Sequence, residues 1–370
     1  MNIAMTRTET HAVDRSDAYR GTSVVIAARW LLVAAGLAFV LYRPQSTMEL
    51  STGVVSILAI AVSNFWLQMR PLRNQSVVPL WAWCASAADL LVISGLLFMQ
   101  GDASGKAFAF YYPAVVAYSL VFPGYVNGLL TGGALFFISW LSLSVGSGDM
   151  IFVARVMTLA AMAFIGWRYQ RVETVRLARR SELSAERFAF LGESGQLEAQ
   201  EDIYHGQIVC AAARWFAISA ALCLTLVQAG SVSSMQRSLI PLILVIAANF
   251  YLHARYMMGL PANARLLQLA SAVDVALITV MVIGGNPEYF IFYYPVVFAF
   301  ALVFARRASL LFTFAVAAVY GAIFTLIVPG IHWNGDEETL AIRLVTLFAT
   351  AILGAMYWRI QRTQVTSELQ

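Results

Sequence analysis

Apolar runs of about twenty residues, each long enough to cross the ~30 Å hydrocarbon core of a bilayer as a helix, recur along this chain from residue 21 to residue 360. No soluble core absorbs so many. Hydrophobic residues make up 60% of the chain and charged residues 12%, against about 25% charged in soluble domains. Inside hydrocarbon a helix satisfies its backbone within its own segment. The expected fold class is therefore an all-α polytopic membrane protein with 12 transmembrane helices, at about 21–42, 50–69, 79–99, 106–123, 125–146, 151–171, 206–228, 237–256, 266–285, 288–305, 308–329 and 339–360.

Positive charge orients these spans. Arg7, Arg15, Arg20, Arg70, Arg73, Arg255, Arg265, Arg306, Arg307, Arg359 and Arg362 fall on one set of connections, together with a basic central segment. The alternate connections hold Arg43, Lys106 and Arg237 beside Asp149, Asp336, Glu337 and Glu338. Both termini are expected in the cytoplasm. The net charge of +4 reflects this asymmetry, so the bilayer is the expected partner and nucleic acid is not.

The chain repeats itself. Ala27-Ala28-Arg29-Trp30 returns as Ala212-Ala213-Arg214-Trp215. Asp17, Tyr19 and Gly21 match Asp202, Tyr204 and Gly206; Asn64-Phe65 matches Asn249-Phe250, and Asp89 matches Asp274, all 185 positions apart. Residues 108–122 match 290–304 at ten of fifteen positions, and Arg155 and Trp167-Arg168 match Arg343 and Trp358-Arg359. The organisation read from this is a polar tail (1–16), a first six-helix repeat (17–172), a helical cytoplasmic linker (173–201), a second six-helix repeat (202–362) and a short tail (363–370). Each repeat starts on the same side, so the two are parallel, same-orientation repeats rather than inverted ones.

Arg29, Asn64 and Asp89 lie on the first three spans at similar depth, as do Arg214, Asn249 and Asp274. A lone charge at a helix centre costs a few kcal/mol or more, so each arginine is expected to pair with the aspartate of its repeat, with the asparagine in the same network. Such a network is an interhelical clasp at its plainest and a ligand- or proton-linked switch at its most functional.

A second constellation lies nearer the outer face. Tyr111-Tyr112-Pro113 and Tyr293-Tyr294-Pro295 are expected to kink the fourth span of each repeat and free a carbonyl. With Arg155, Asn286 and Arg343 they form the candidate ligand-binding set, against the plainer reading of an aromatic belt with snorkelling arginines. Gly124, Gly128 and Gly132 predict close packing of the fifth span inside the bundle. Cys84, Cys210 and Cys223 form no CxxC pair and read as small buried hydrophobes. No catalytic motif or metal-ligand spacing is present, so no enzyme and no metal site is expected.

The order Arg214-Trp215, Asn249, Asp274, Gly284-Gly285-Asn286-Pro287 and then a Phe/Tyr-rich span resembles the six-helix membrane module of bacterial sensor histidine kinases, most closely the redox-sensing RegB/PrrB type. The first repeat matches at Arg29-Trp30, Asn64 and Asp89, with Gly101 in its outer loop. The resemblance implies a bacterial cytoplasmic (inner) membrane and a quinone as ligand. The chain carries no histidine-bearing dimerisation helix or ATP-binding domain, so output is expected through a cytoplasmic or membrane signalling partner. The resulting expectation is a non-catalytic, duplicated sensor-type membrane module that binds an apolar or redox-active, quinone-like ligand near the outer face. A small-molecule transporter with two six-helix halves and a structural subunit of a membrane complex are the alternatives.

Overall fold

The structure is a computed structural model that describes residues 3–42, 47–72, 79–100, 106–145, 150–187, 194–228, 232–260, 262–284, 287–327 and 337–368. Twelve α-helices run in chain order: α1 (Ile3–Tyr42), α2 (Thr47–Leu72), α3 (Pro79–Gln100), α4 (Tyr111–Val121), α5 (Gly124–Val145), α6 (Met150–Arg187), α7 (Ser194–Gln228), α8 (Val232–Met257), α9 (Ala264–Gly284), α10 (Tyr293–Val303), α11 (Arg306–Ala322) and α12 (Glu337–Glu368). Among the described residues, eight helices are long and apolar enough to cross a membrane, and the chain is an integral membrane protein. Residues 3–16, read from sequence as part of a polar tail, are the first turns of α1. The expected linker is helical through Arg187 and again from Ser194.

α4 and α10 differ from the other apolar helices. Each has only 11 residues, ~16 Å at 1.5 Å per residue, and each follows a 3₁₀ segment, Lys106–Phe110 or Pro287–Phe292. Pro113 and Pro295 are the third residues of these helices. The expected mid-helix kink is therefore absent. Proline is tolerated in a first turn, where no i−4 bond is due, and here it marks where 3₁₀ winding gives way to α. The other end is a sharp stop. Phe122 is extended (ψ 150°) ahead of Pro123, as a residue before proline must be. Phe304 is equally extended (ψ 157°) although Ala305 follows it.

These short helices are apolar on every side, the pattern of a helix surrounded by others. All eleven residues of α10 are buried, as are ten of the eleven in α4. In one compact unit, Met1–Gly148 with Asn334–Gln370, α4 is ringed by α1, α3, α5 and α12. In the other, Asp149–Trp333, α10 is ringed by α6, α7, α9 and α11. α2 packs on α1 and α3 in the first unit, and α8 packs on α7 in the second.

The compact units do not follow the repeats at 17–172 and 202–362. α6 ends the first repeat but packs on α7 and α10, while α12 ends the second repeat but packs on α1 and α4. Each repeat thus lends its last helix to the other unit. The faces involved are similar in the two repeats. α6 and α12 share Arg155/Arg343 and Trp167-Arg168/Trp358-Arg359, and α4 and α10 share ten of fifteen residues with their flanks. Similar faces make such an exchange a low-cost arrangement.

α5 buries Val126, Leu130, Ala134, Ile138 and Leu141 on one stripe. Gly128 and Gly132 lie on the opposite side, with nothing within 4 Å of where a Cβ would stand. The glycine face therefore points away from the bundle, contrary to the expected internal packing. Of the cysteines, Cys210 is buried while Cys84 and Cys223 are exposed, and all three are free.

Candidate functional site

The two arginines carried by α1 and α7 find the aspartates carried by α3 and α9. Arg29 Nε lies 3.0 Å from Asp89 Oδ2, with both side chains almost wholly buried. Arg214 Nε reaches both Asp274 oxygens, at 2.9 and 2.6 Å. Neither pair uses the two-pronged fork of the guanidinium, so the Nη groups are left for other partners.

The two units treat those groups differently. In the first, Arg29 Nη2 donates to Ser63 Oγ at 2.6 Å, and Ser63 donates onward to the Ile60 carbonyl. Tyr118, from the central helix α4, donates its hydroxyl to Asp89 Oδ2 at 3.2 Å. In the second unit, Ala248 stands where Ser63 would be and Phe300 where Tyr118 would be. Arg214 Nη1 and Nη2 then have no hydrogen-bond partner, and a cavity of about 10 Å³, room for one water-sized centre, lies beside Arg214 and Asp274. A buried donor left unmade costs about 1–3 kcal/mol. Ala248→Ser restores the missing acceptor and is expected to stabilise the full-length protein by about 1 kcal/mol, read as a raised thermal midpoint in detergent. An unchanged or lowered midpoint would show that Arg214 is already served.

The asparagines do not join the ion pairs. Asn64 donates to the Ile26 carbonyl at 3.1 Å and Asn249 to the Ala211 carbonyl at 3.4 Å. These acceptors are themselves 185 positions apart, so the repeat extends to its backbone partners. The asparagines tie α2 to α1 and α8 to α7, one helix away from the aspartates.

The tyrosines expected to line an outer pocket are core residues. Tyr111, Tyr112, Tyr293 and Tyr294 are at most 1% exposed. Tyr111 shares a 2.6 Å hydrogen bond with Ser94, and Tyr293 a 2.7 Å bond with Thr279, again equivalent pairs. Phe108 packs on Tyr111 and Tyr112, and Phe290 on Tyr293 and Tyr294. The helix exchange also redistributes the arginines. Arg343 belongs to the unit of Tyr111 and Tyr112, while buried Arg155 belongs to that of Tyr293 and Tyr294. Asn286 lies outside the described residues.

The first unit contains instead a cavity of about 350 Å³ lined by Ala35, Ala38 and Phe39 of α1, Phe110, and Glu337, Glu338, Ala341, Ile342 and Val345 of α12. Ala38, Glu337, Ala341 and Val345 are exposed, so it opens at the surface. Of the lining residues, Glu338 forms a 2.7 Å ion pair with Lys106. Its size is within the range of small-molecule sites.

Sequence reasoning missed Ser63, Tyr118, Ser94, Thr279 and the cavity-lining glutamates. Ser94 and Thr279 were detectable as hydroxyl residues 185 positions apart. Ser63 and Tyr118 carried no such signal, because their counterparts are Ala248 and Phe300. The buried Gln207 was missed for the same reason; it donates to the Leu252 carbonyl and accepts from the Ala262 amide, and its counterpart is Thr22. Compared with known proteins, the chain matches no family model, no curated protein and no solved structure.

Proposed function

We propose that the chain is a duplicated, non-catalytic membrane sensor module that takes an apolar or redox-active ligand from the lipid side and passes the binding event to a partner protein. The lateral cavity of the first unit carries this reading. It is roomy, mostly apolar and open at the surface of membrane-spanning helices, whereas the buried charges beneath it are closed into pairs. In this reading all twelve helices cross or fill the bilayer as two same-orientation six-helix repeats of RegB/PrrB-like type. Both termini face the cytoplasm of a bacterial inner membrane, and the cavity lies toward the outer face.

A route from cavity to clasp exists within one unit. α1 carries both Arg29 and the lining residues Ala35 to Phe39, ~9–15 Å further along the helix. Phe110 lines the cavity and is followed by Tyr111, which is bonded to Ser94 on α3, the helix of Asp89. A ligand that moves α1 or α4 therefore acts directly on the Arg29–Asp89 pair, a two-state element of the kind that switches require.

The test is purification of the full-length chain in mild detergent, followed by mass spectrometry of co-purified small molecules and proteins. A small molecule lost from a variant with the cavity filled by Ala38→Phe, together with a specific protein partner, is the expected result. Recovery of neither would overturn the proposal.

A further inference from the structure

The ion pair of the second unit is balanced in charge but not in hydrogen bonds. Arg214 is 3% exposed and Asp274 6%, and they are each other's ion partner. Both Asp274 oxygens receive the Arg214 Nε–H. Both terminal nitrogens of Arg214, Nη1 and Nη2, are left without an acceptor. At Arg29, by contrast, Nη2 is held by Ser63.

The cavity beside the pair is where these donors can be met. Arg214 and Asp274 are on its wall, and the rest of the wall is apolar: Ala217 and Ile218 of α7, Val245 of α8, Leu277, Ile278 and Met281 of α9, and Phe292. Of these positions Ala217 differs most in size between the repeats, because the first has a buried leucine, Leu32, in its place. The helices around the cavity also differ. α2 packs on α3, but among the described residues α8 has no comparable packing on α9. Val245, Leu277 and Met281 are only half-buried, so the cavity reaches toward the surface between α8 and α9.

Donors without acceptors, apolar walls and room for one oxygen-sized centre together specify a ligand. The group that enters is an acceptor, because another donor would face Arg214 unmatched. It is uncharged, because Asp274 already balances Arg214 and an added anion would be a buried, uncompensated charge. A carbonyl oxygen meets both conditions, with two lone pairs and no hydrogen of its own. Water fits less well, since at least one of its hydrogens would face an apolar wall, and a buried water needs two to four polar partners. We propose that the Arg214 cavity binds a neutral carbonyl compound. Its oxygen accepts from Nη1 and Nη2, and its small apolar body lies in the opening between Val245 of α8 and Leu277 and Met281 of α9. This site is separate from the α1–α12 cavity, and the two are tested independently.

The test uses the full-length chain in mild detergent and two probes of one shape, cyclohexanone and methylenecyclohexane, in which a methylene group replaces the carbonyl oxygen. Infrared spectra of carbon-13-labelled cyclohexanone are expected to show a saturable carbonyl band lowered in frequency by the guanidinium. Methylenecyclohexane, at equal concentration in the detergent phase, is expected to compete at least tenfold more weakly, because a site built to donate rejects an analogue that cannot accept. Cyclohexanecarboxylate is also expected to compete at least tenfold more weakly than the ketone. Ala217→Leu, or Val245→Phe if that variant does not fold, is expected to abolish the shifted band. Ala248→Ser is expected to weaken it at least threefold by giving Arg214 an acceptor within the chain. Absence of a saturable shifted band would overturn the proposal, and so would equal competition by methylenecyclohexane or by the carboxylate. A band that survives Ala217→Leu but is lost in Ala38→Phe would place the ketone in the α1–α12 cavity, overturning this site and supporting that one.

Discussion

Asp89→Ala is expected to destabilise the full-length protein by about 3–5 kcal/mol, the usual result of removing one member of a buried ion pair. The loss comes from what remains. Arg29 is 1% exposed and would keep its charge with only Ser63 to receive it, while the Tyr118 hydroxyl would lose its acceptor. Asp274→Ala leaves Arg214 in the same position. The double substitution Arg29→Met with Asp89→Leu is expected to recover most of the loss, because an apolar replacement of similar volume removes the stranded charge. Tyr118→Phe is expected to cost only about 1 kcal/mol, since the second unit already carries phenylalanine there. Denaturation of each variant by SDS, with the outward-facing Leu129→Ala as reference, measures all four. If Asp89→Ala and Asp274→Ala unfold with Leu129→Ala, the clasps contribute nothing to stability.

Gly206→Ala is the second large effect. An added methyl would run into the Val303 side chain on α10. Overpacking of this kind costs about 1–3 kcal/mol. Val303→Ala in the same chain is expected to relieve it, so the pair should be strongly non-additive. Gly128→Ala and Gly132→Ala are expected to have the opposite sign. Nothing lies near either position, and alanine is favoured over glycine in a helix by about 1 kcal/mol. Thermal midpoints of the five variants, Val303→Ala alone included, decide the matter; a neutral Gly206→Ala would mean that α7 and α10 have room to part.

The pairing of Arg29 with Asp89 and of Arg214 with Asp274 was legible before any coordinates, because two buried charges at one depth have few other stable arrangements. The roles of Asn64 and Asn249 were not. An asparagine has both donors and acceptors, and depth alone does not say whether it meets a side chain or a carbonyl. The tyrosines of the YYP stretches were misplaced for a related reason. Aromatic, proline-containing segments fit an interface belt as well as a core, and only the ring of four helices around α4 and α10 distinguishes them. The break after Phe122 is announced by Pro123, whereas the same break after Phe304 has no proline to announce it.

By itself, the sequence determined that this is a helical membrane protein, roughly where its long apolar helices run, that its sequence is duplicated, and which charges must pair. Each of these follows from local length, period and polarity, or from the cost of an isolated charge in hydrocarbon. Only the tertiary structure decided which copy of the sixth helix completes which unit, that α4 and α10 are the centres, and that α1 and α12 leave a cavity under two glutamates. Those outcomes depend on which of several nearly equivalent apolar faces meet. Two repeats with similar apolar faces leave no local pattern along the chain that distinguishes the alternatives.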